Sequence, residues 1–392
     1  MTSATLAAPE PAIPERRLLH ATIAVRIQFF IAGALFATWG IHVPTVKQHY
    51  GLGEQALAMA MLASGIGAVL TLTQAGRIVG RQGARRMALL SGFLCAASLA
   101  AVLASSSYVV LLALMVVFGI GMSLLDVSIN AAASELERLR SRNLMSGFHA
   151  MFSLGGMVGA ALGSALLSRG MAPGTHLVST ALGSLVVLMA AGAVMLRTVA
   201  GSSQEGHGFA LPRGVLGLLG VLAAVGLIAE GAMYDWSVLY MTQELHSAPD
   251  VAALAYASFS AAMAAARFAG DWIRDHVKPA VLMSASAALA AVAMAAVLWI
   301  AHPVATLVGF ALVGLGFANV VPVLFGSAAK MDANPAHGIA VVASVGYFGM
   351  MAGPPLIGVI AEHWSLPAGM ASVAVFATIL ALAAPKALAK AG

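Results

Sequence analysis

Charge is what this sequence has least of. Only 9% of its 392 residues are Asp, Glu, Lys or Arg, against about 25% in soluble domains, while 60% belong to the apolar set. Fifteen acids and twenty bases cannot cover so apolar a chain with a wettable surface, which excludes a soluble enzyme and a nucleic-acid binder. A single cysteine, Cys95, excludes an internal disulfide and any Cys-based metal cluster. The histidines give no metal-binding spacing either, since His42, His49 and His302 fall at the ends of apolar runs. A phosphate-cradling G-x-x-x-x-G-K-[ST] loop is missing, and no polar stretch is long enough for a nucleotide domain. That removes an ATP-driven pump, and no cofactor is expected.

What the chain has is apolar length. A helix needs about 20 mostly apolar residues to cross a bilayer core. Twelve such runs read near 20–44, 54–75, 86–106, 108–134, 145–168, 175–198, 214–242, 251–269, 279–301, 303–328, 338–361 and 367–386. Helices satisfy their own backbone in lipid, so the expected fold is an all-α membrane protein of twelve transmembrane helices. Arg16 and Arg17 before an apolar stretch look like a signal peptide, but the stretch exceeds twenty residues and eleven more spans follow. The expected organisation is a disordered tail over 1–19, a six-helix bundle over 20–199, a linker over 200–213, a second bundle over 214–386 and a tail over 387–392. With both termini cytoplasmic, all twenty Lys and Arg except Lys47, Arg169 and Arg26 fall in cytoplasmic joints, as the positive-inside rule requires.

The two halves repeat. Gly119 and Gly121 in span 4 recur as Gly314 and Gly316 in span 10, 195 residues on. Gly155 and Gly159 in span 5 recur as Gly349 and Gly353 in span 11, and Ala75-Gly76 recurs as Ala269-Gly270, each 194 residues on. Small residues serve close helix packing anywhere. A shared offset at three loci points further, to a parallel repeat of six spans about an axis along the membrane normal.

Twelve spans in two pseudo-symmetric halves, a longer middle segment from Arg197 to Arg213 and a basic 2–3 joint resemble the major facilitator superfamily. In the joint, Gly76, Arg81, Gly83, Arg85 and Arg86 keep the glycines and bases of that family's signature, whereas Gly80 stands where the family has Asp. Arg267, Gly270 and Asp271 after span 8 are its counterpart. The resemblance implies that Gly76, Gly83, Arg85 and Asp271 take part in conformational gating. Spans 4 and 5 resemble the fucose permease-like branch. Asp126 stands for its substrate-binding acid, Asn130 for its Asn and His149 for its Gln, with Phe152 in place of a second Asn and Gly40 in place of a span 1 acid.

Ionisable groups inside a membrane cost about 2.5–3.5 kcal/mol or more, so each invites a functional reading. Asp126 lies ~12 Å and His149 ~7 Å from the cytoplasmic ends of spans 4 and 5, which as antiparallel neighbours would let the two meet, for proton coupling or as a static pair. In span 7, Glu230 shares a face with Tyr234 and is the expected cavity acid, whereas Asp235 and Trp236 are expected at the interface. Arg26 in span 1 is either a snorkelling base or a counter-ion for an anionic substrate or Asp126. Asn319 beside Pro322 in span 10 reads as a polar contact at a kink or as helix packing, and Gly353-Pro354 in span 11 as a flexible gate.

The expected function is secondary transport of a small polar solute, a sugar or related metabolite, imported with protons by a monomer in a bacterial inner membrane. The alternative is a proton-antiport exporter of drugs or metabolites. Exporters of the resembling superfamily carry Gly-x-x-x-Gly-Pro in span 5, with the proline where Ala160 stands here, and an arginine where Met115 stands, which favours import. Partners are the substrate, protons and the bilayer, with no nucleic acid and no metal.

Overall fold

The computed structural model describes residues 13–142, 144–196, 214–331 and 335–389. The linker over 200–213 and the extreme ends lie outside them. The described residues form thirteen helices and no strand: α1 (Glu15–Tyr50), α2 (Glu54–Gln82), α3 (Ala84–Ala101), α4 (Tyr108–Arg140), α5 (Met145–Leu167), α6 (Pro173–Val194), α7 (Gly214–Gln243), α8 (Pro249–His276), α9 (Pro279–Ile300), α10 (Pro303–Phe317), α11 (Val320–Met331), α12 (Pro335–His363) and α13 (Leu366–Ala389). They supply twelve spans long and apolar enough to cross a membrane.

Several joints differ from the sequence reading. The helix α1 has 36 residues, ~54 Å of rise, and runs through Pro44 to stop at Gly51, whose φ of 62° suits a residue without Cβ. It begins at Glu15, inside the expected tail, and α13 reaches Ala389, beyond 386. The α2–α3 joint shrinks to Gly83, at φ 86°, so Gly76 is helical and not part of a loop. The tenth span is split into α10 and α11 because Pro322 has no N–H for the carbonyl of Ala318 and its ring crowds that group. Pro354 and Pro355 leave α12 unbroken.

Equivalent helices pack equivalently. In the first half α1 packs on α5 and α6, α2 on α4, and α3 on α4 and α6; in the second α7 packs on α12 and α13, α8 on α10, and α9 on α10 and α13. The glycine repeat is the seam of this symmetry. A side chain on Gly119 would strike the carbonyl of Ser64, and one on Gly314 that of Phe259. Gly121 and Gly316 likewise face the carbonyls of Ser91 and Ser286. Both partner pairs are 195 residues apart, as the glycines are. Gly155 and Gly349 abut Phe30 and Ala224, while Gly159 and Gly353 abut Ala34 and Ile228, with partners 194 apart. Missing Cβ atoms let the same backbones approach in each half.

The halves meet mainly through α2 on α12, α5 on α8 and α1 on α7. They close at the end away from the chain termini. There Gly40 admits the Tyr256 ring, Gly358 admits Ala58 and the Glu54 carbonyl, and Gly53 lies under the Glu362 carboxylate. Glu362 Oε2 accepts the Gln55 N–H at 3.2 Å, a negative charge placed on the first turn of α2 where the helix dipole favours it. At the terminus-bearing end, α11 packs on α7, α9 and α12 without comparable packing on α4 or α5. A Cβ added at Gly147 or Gly326, in the terminus-side turns of α5 and α11, would meet nothing within 4 Å. The space between the halves therefore opens towards the termini.

Candidate substrate and proton site

Along α8, Tyr256, Ser260, Met263 and Arg267 recur at four, three and four residues, one stripe of a helix. Arg267 is the charged member. Its Nη2 donates to Glu230 Oε1 on α7 at 3.0 Å, and its Nη1 donates to Ser153 Oγ on α5 at 2.9 Å. The guanidinium thus ties α8 to its own half through a carboxylate and to the other half through a hydroxyl. The pair is mostly withdrawn from water, with 18% and 12% of the two side chains exposed. A membrane-depth arginine is retained at this cost only when paired, and its fork geometry serves two acceptors at once.

The floor towards the closed end is aromatic. Tyr234, one turn beyond Glu230, sets its ring 5.1 Å from Tyr256, 5.0 Å from Phe259 edge-on and 5.8 Å from Phe36 of α1 edge-on. Phe36 in turn lies 6.3 Å from Phe152. Within this cluster the buried Tyr256 hydroxyl has no hydrogen-bond partner among the described residues. A buried donor left open beside an ion pair suits a polar ligand.

Asp126 and Asn130 stand on α4. Asn130 Nδ2 donates to Asp126 Oδ1 and to the Asp126 carbonyl, each at 2.9 Å. The Asp126 side chain is accessible although protein surrounds it, and Tyr347 on α12 lies within electrostatic reach of both Asp126 and Glu230. Since α4 and α12 do not pack, these groups border the open space between the halves. Among the described residues Asp126 has no cationic partner, whereas Glu230 has Arg267.

The expected meeting of Asp126 with His149 does not occur: no hydrogen bond or ion pair joins them among the described residues. The helices α4 and α5 touch only slightly, because α1 packs on both. His149 instead sets its ring 5.3 Å from Phe29 of α1, edge-on, and feels the charge of Arg267. Glu230 and Tyr234 do share the inner face of α7. Asn319 is buried at the α10–α11 break, where it accepts from Arg274 at 3.5 Å and abuts Gly270, which places it at the junction with α8. Arg26 is exposed on the face of α1 that carries the exposed Leu19 and Ile23, without an ion pair to Asp126. Gly353 lies in the α7–α12 seam, followed by Pro354 inside α12. Gly76 faces open space and Arg85 stands in the first turn of α3. The side chain of Asp271 lies outside the described residues.

Three residues are placed differently from their sequence reading. Arg267, read as a cytoplasmic joint, is nine residues inside α8, because that helix continues through Gly270 to His276. His42, read at a span end, is buried with Nε2 2.8 Å from His176 Nδ1, because α1 continues to Tyr50. Trp236, expected at the interface, is fully buried where Gly358 of α12 leaves room for its ring; Asp235 is half-buried, within electrostatic reach of Tyr256. The sequence carried a signal for Arg267: it shares one face of an otherwise apolar helix with the polar Tyr256 and Ser260.

A family model described as Major Facilitator Superfamily matches residues 26–332 and 218–390. An uncharacterized MFS-type transporter of Yersinia pestis is 34% identical over 363 residues, covering 92% of this chain and 94% of that protein. Among solved structures, a point mutant of the nucleoside transporter NupG superposes with a TM-score of 0.76 at 13% identity, over 95% of this chain and 99% of that one. A D-xylose-proton symporter superposes with a TM-score of 0.73 at 14% identity, over 93% and 96%. At such identities the structures establish the fold, and the sequence matches establish the family. The chain belongs to the major facilitator superfamily and is a multi-pass membrane transporter, not an enzyme.

Proposed function

We propose that this transporter imports a small polar solute, a sugar, nucleoside or related metabolite, together with protons. Both termini face the cytoplasm of a bacterial cell and the protein works as a monomer, its cavity built within one chain. The observation that carries the reading is the unequal state of two acids on one cavity: among the described residues Glu230 is held by Arg267, and Asp126 has no cation. A neighbouring cation holds a carboxyl group ionised, so the acid without one is the freer of the two to gain and lose a proton, which is what a coupling site requires. The ion pair with Tyr234, Tyr256, Asn130 and His149 then offers the solute donors, acceptors and an aromatic floor. Transporters of a nucleoside and of D-xylose with this fold support a small polar solute.

With cytoplasmic termini the cavity faces inward and the Glu362 contact is the closed outer gate. Alternating access opens that gate while the terminus-bearing ends close, with Gly83 and Arg85 at the α2–α3 joint and Gly353-Pro354 in α12 as moving parts. The basic residues of the terminus-side joints support this orientation. Uptake into proteoliposomes tests the reading, with panels of sugars, nucleosides and amino acids, with and without an inward proton gradient. Asp126→Asn should leave inserted protein that equilibrates substrate but does not accumulate it. Accumulation by that variant at wild-type level would remove Asp126 as the coupling acid.

A further inference from the structure

A second concavity, with basic side chains on one wall, lies away from the cavity, at the terminus-bearing end and on the outside of the first half. It has a volume of about 430 Å³ and is lined by Pro14, Arg16, Arg17 and His20 of the α1 entry, Arg85 of α3, and Ala193, Val194 and Met195 at and just beyond the end of α6. That volume is within the roughly 300–1,000 Å³ of small-ligand sites. Four basic side chains converge, and no acid lines it among the described residues. The nearest carboxylate in sequence, Glu15, is turned away to Arg140, with Nη2 of that arginine 2.7 Å from Oε1. Arg16, Arg17 and Arg85 form no ion pair among the described residues. The C terminus of α6 contributes at most about half a negative charge, too little to balance three guanidinium groups. Arg85 also stands in the first turn of α3, where helix N–H groups favour an anion.

We propose that this concavity binds a phosphate group, and that the group belongs to an anionic phospholipid of the adjoining leaflet. The guanidinium forks match phosphate oxygens in geometry as well as charge. The lipid follows from the wall of the site. Val194, which lines it, is half-exposed, and Leu19 and Ile23 of α1 and Val187 of α6 are exposed apolar side chains on the same two helices. In a protein that lives in a bilayer, that surface meets acyl chains, so a headgroup in the pocket lays its tails along these apolar side chains, with Arg26 further along the same face of α1. A soluble phosphate gains nothing from it.

Native mass spectrometry of the full-length protein in detergent tests this with phosphatidylglycerol, phosphatidylcholine and inorganic phosphate as separate probes. Phosphatidylglycerol should be retained over phosphatidylcholine. An Arg16→Gln/Arg17→Gln/Arg85→Gln variant should lose that retention by on the order of a hundredfold, the product of about fivefold per base near an anionic surface. An Arg77→Gln/Arg81→Gln/Arg86→Gln variant removes equal charge from the same end outside the pocket and should retain the lipid. Equal loss in both variants would mean diffuse surface charge and overturn the site. Inorganic phosphate that displaces the lipid at equal concentration would overturn the lipid as its occupant. Unchanged lipid-free melting of the pocket variant separates lost binding from lost folding.

Discussion

Removing one charge of the Arg267–Glu230 pair should harm the protein more than removing both. In Glu230→Gln the guanidinium keeps Ser153 and gains an amide oxygen, but its charge is uncompensated at membrane depth. Truncating one partner of a buried pair costs about 3–5 kcal/mol. The side chains are 18% and 12% exposed, so the lower figure, about 3 kcal/mol, applies. With an unfolding entropy of about 2.1 cal/mol/K per residue, a chain of this length loses roughly 4 °C of melting temperature. Arg267→Met should cost a similar amount, since it strands the carboxylate. The double variant Glu230→Gln/Arg267→Met leaves no stranded charge and should melt within about 2 °C of the parent. Apparent melting by fluorescence-detected size exclusion, at one fixed heating protocol, gives the cycle directly. Losses that simply add, about 8 °C in the double variant, would refute the pair as a coupled unit.

Two further outcomes follow from the closed end and the span pattern. Glu362→Gln weakens the carboxylate contact with the first turn of α2, a charge–dipole interaction of up to ~2 kcal/mol, and should widen the distances between spin labels placed on the two halves at that end. Gly358→Leu should widen them further, because its side chain would strike Ala58 and the Glu54 carbonyl; an unchanged distance distribution in both would mean that these contacts do not hold the end shut. In a Cys95→Ala background, cysteines at Ser106 and Ser247 should react with an impermeant maleimide from outside intact cells and one at Gly83 should not, whereas labelling at Gly83 would invert the orientation.

The class of the fold could be read from composition and run length alone, because the bilayer imposes local rules. Each span must be about 20 apolar residues, and each backbone must satisfy itself, so spans can be counted without knowing their neighbours. The glycine repeat was legible for a related reason: close approach of two backbones demands the absence of a side chain at that position, as at Gly119 and Gly314. Depth was legible too, which is how Asp126 and Glu230 stood out. Which face of each helix meets which partner emerged only from the packing. Lipid tails and a protein interior are equally apolar, so an outward face reads like an inward one. That is why Arg267 read as one more basic helix end until α7 brought Glu230 to it, and why Asp126 and His149 looked like neighbours although α1 packs on both of their helices. Trp236 was misplaced by the same ambiguity, since nothing in an apolar run says where along it another helix will press, and His42 because α1 runs on through Pro44 to Tyr50.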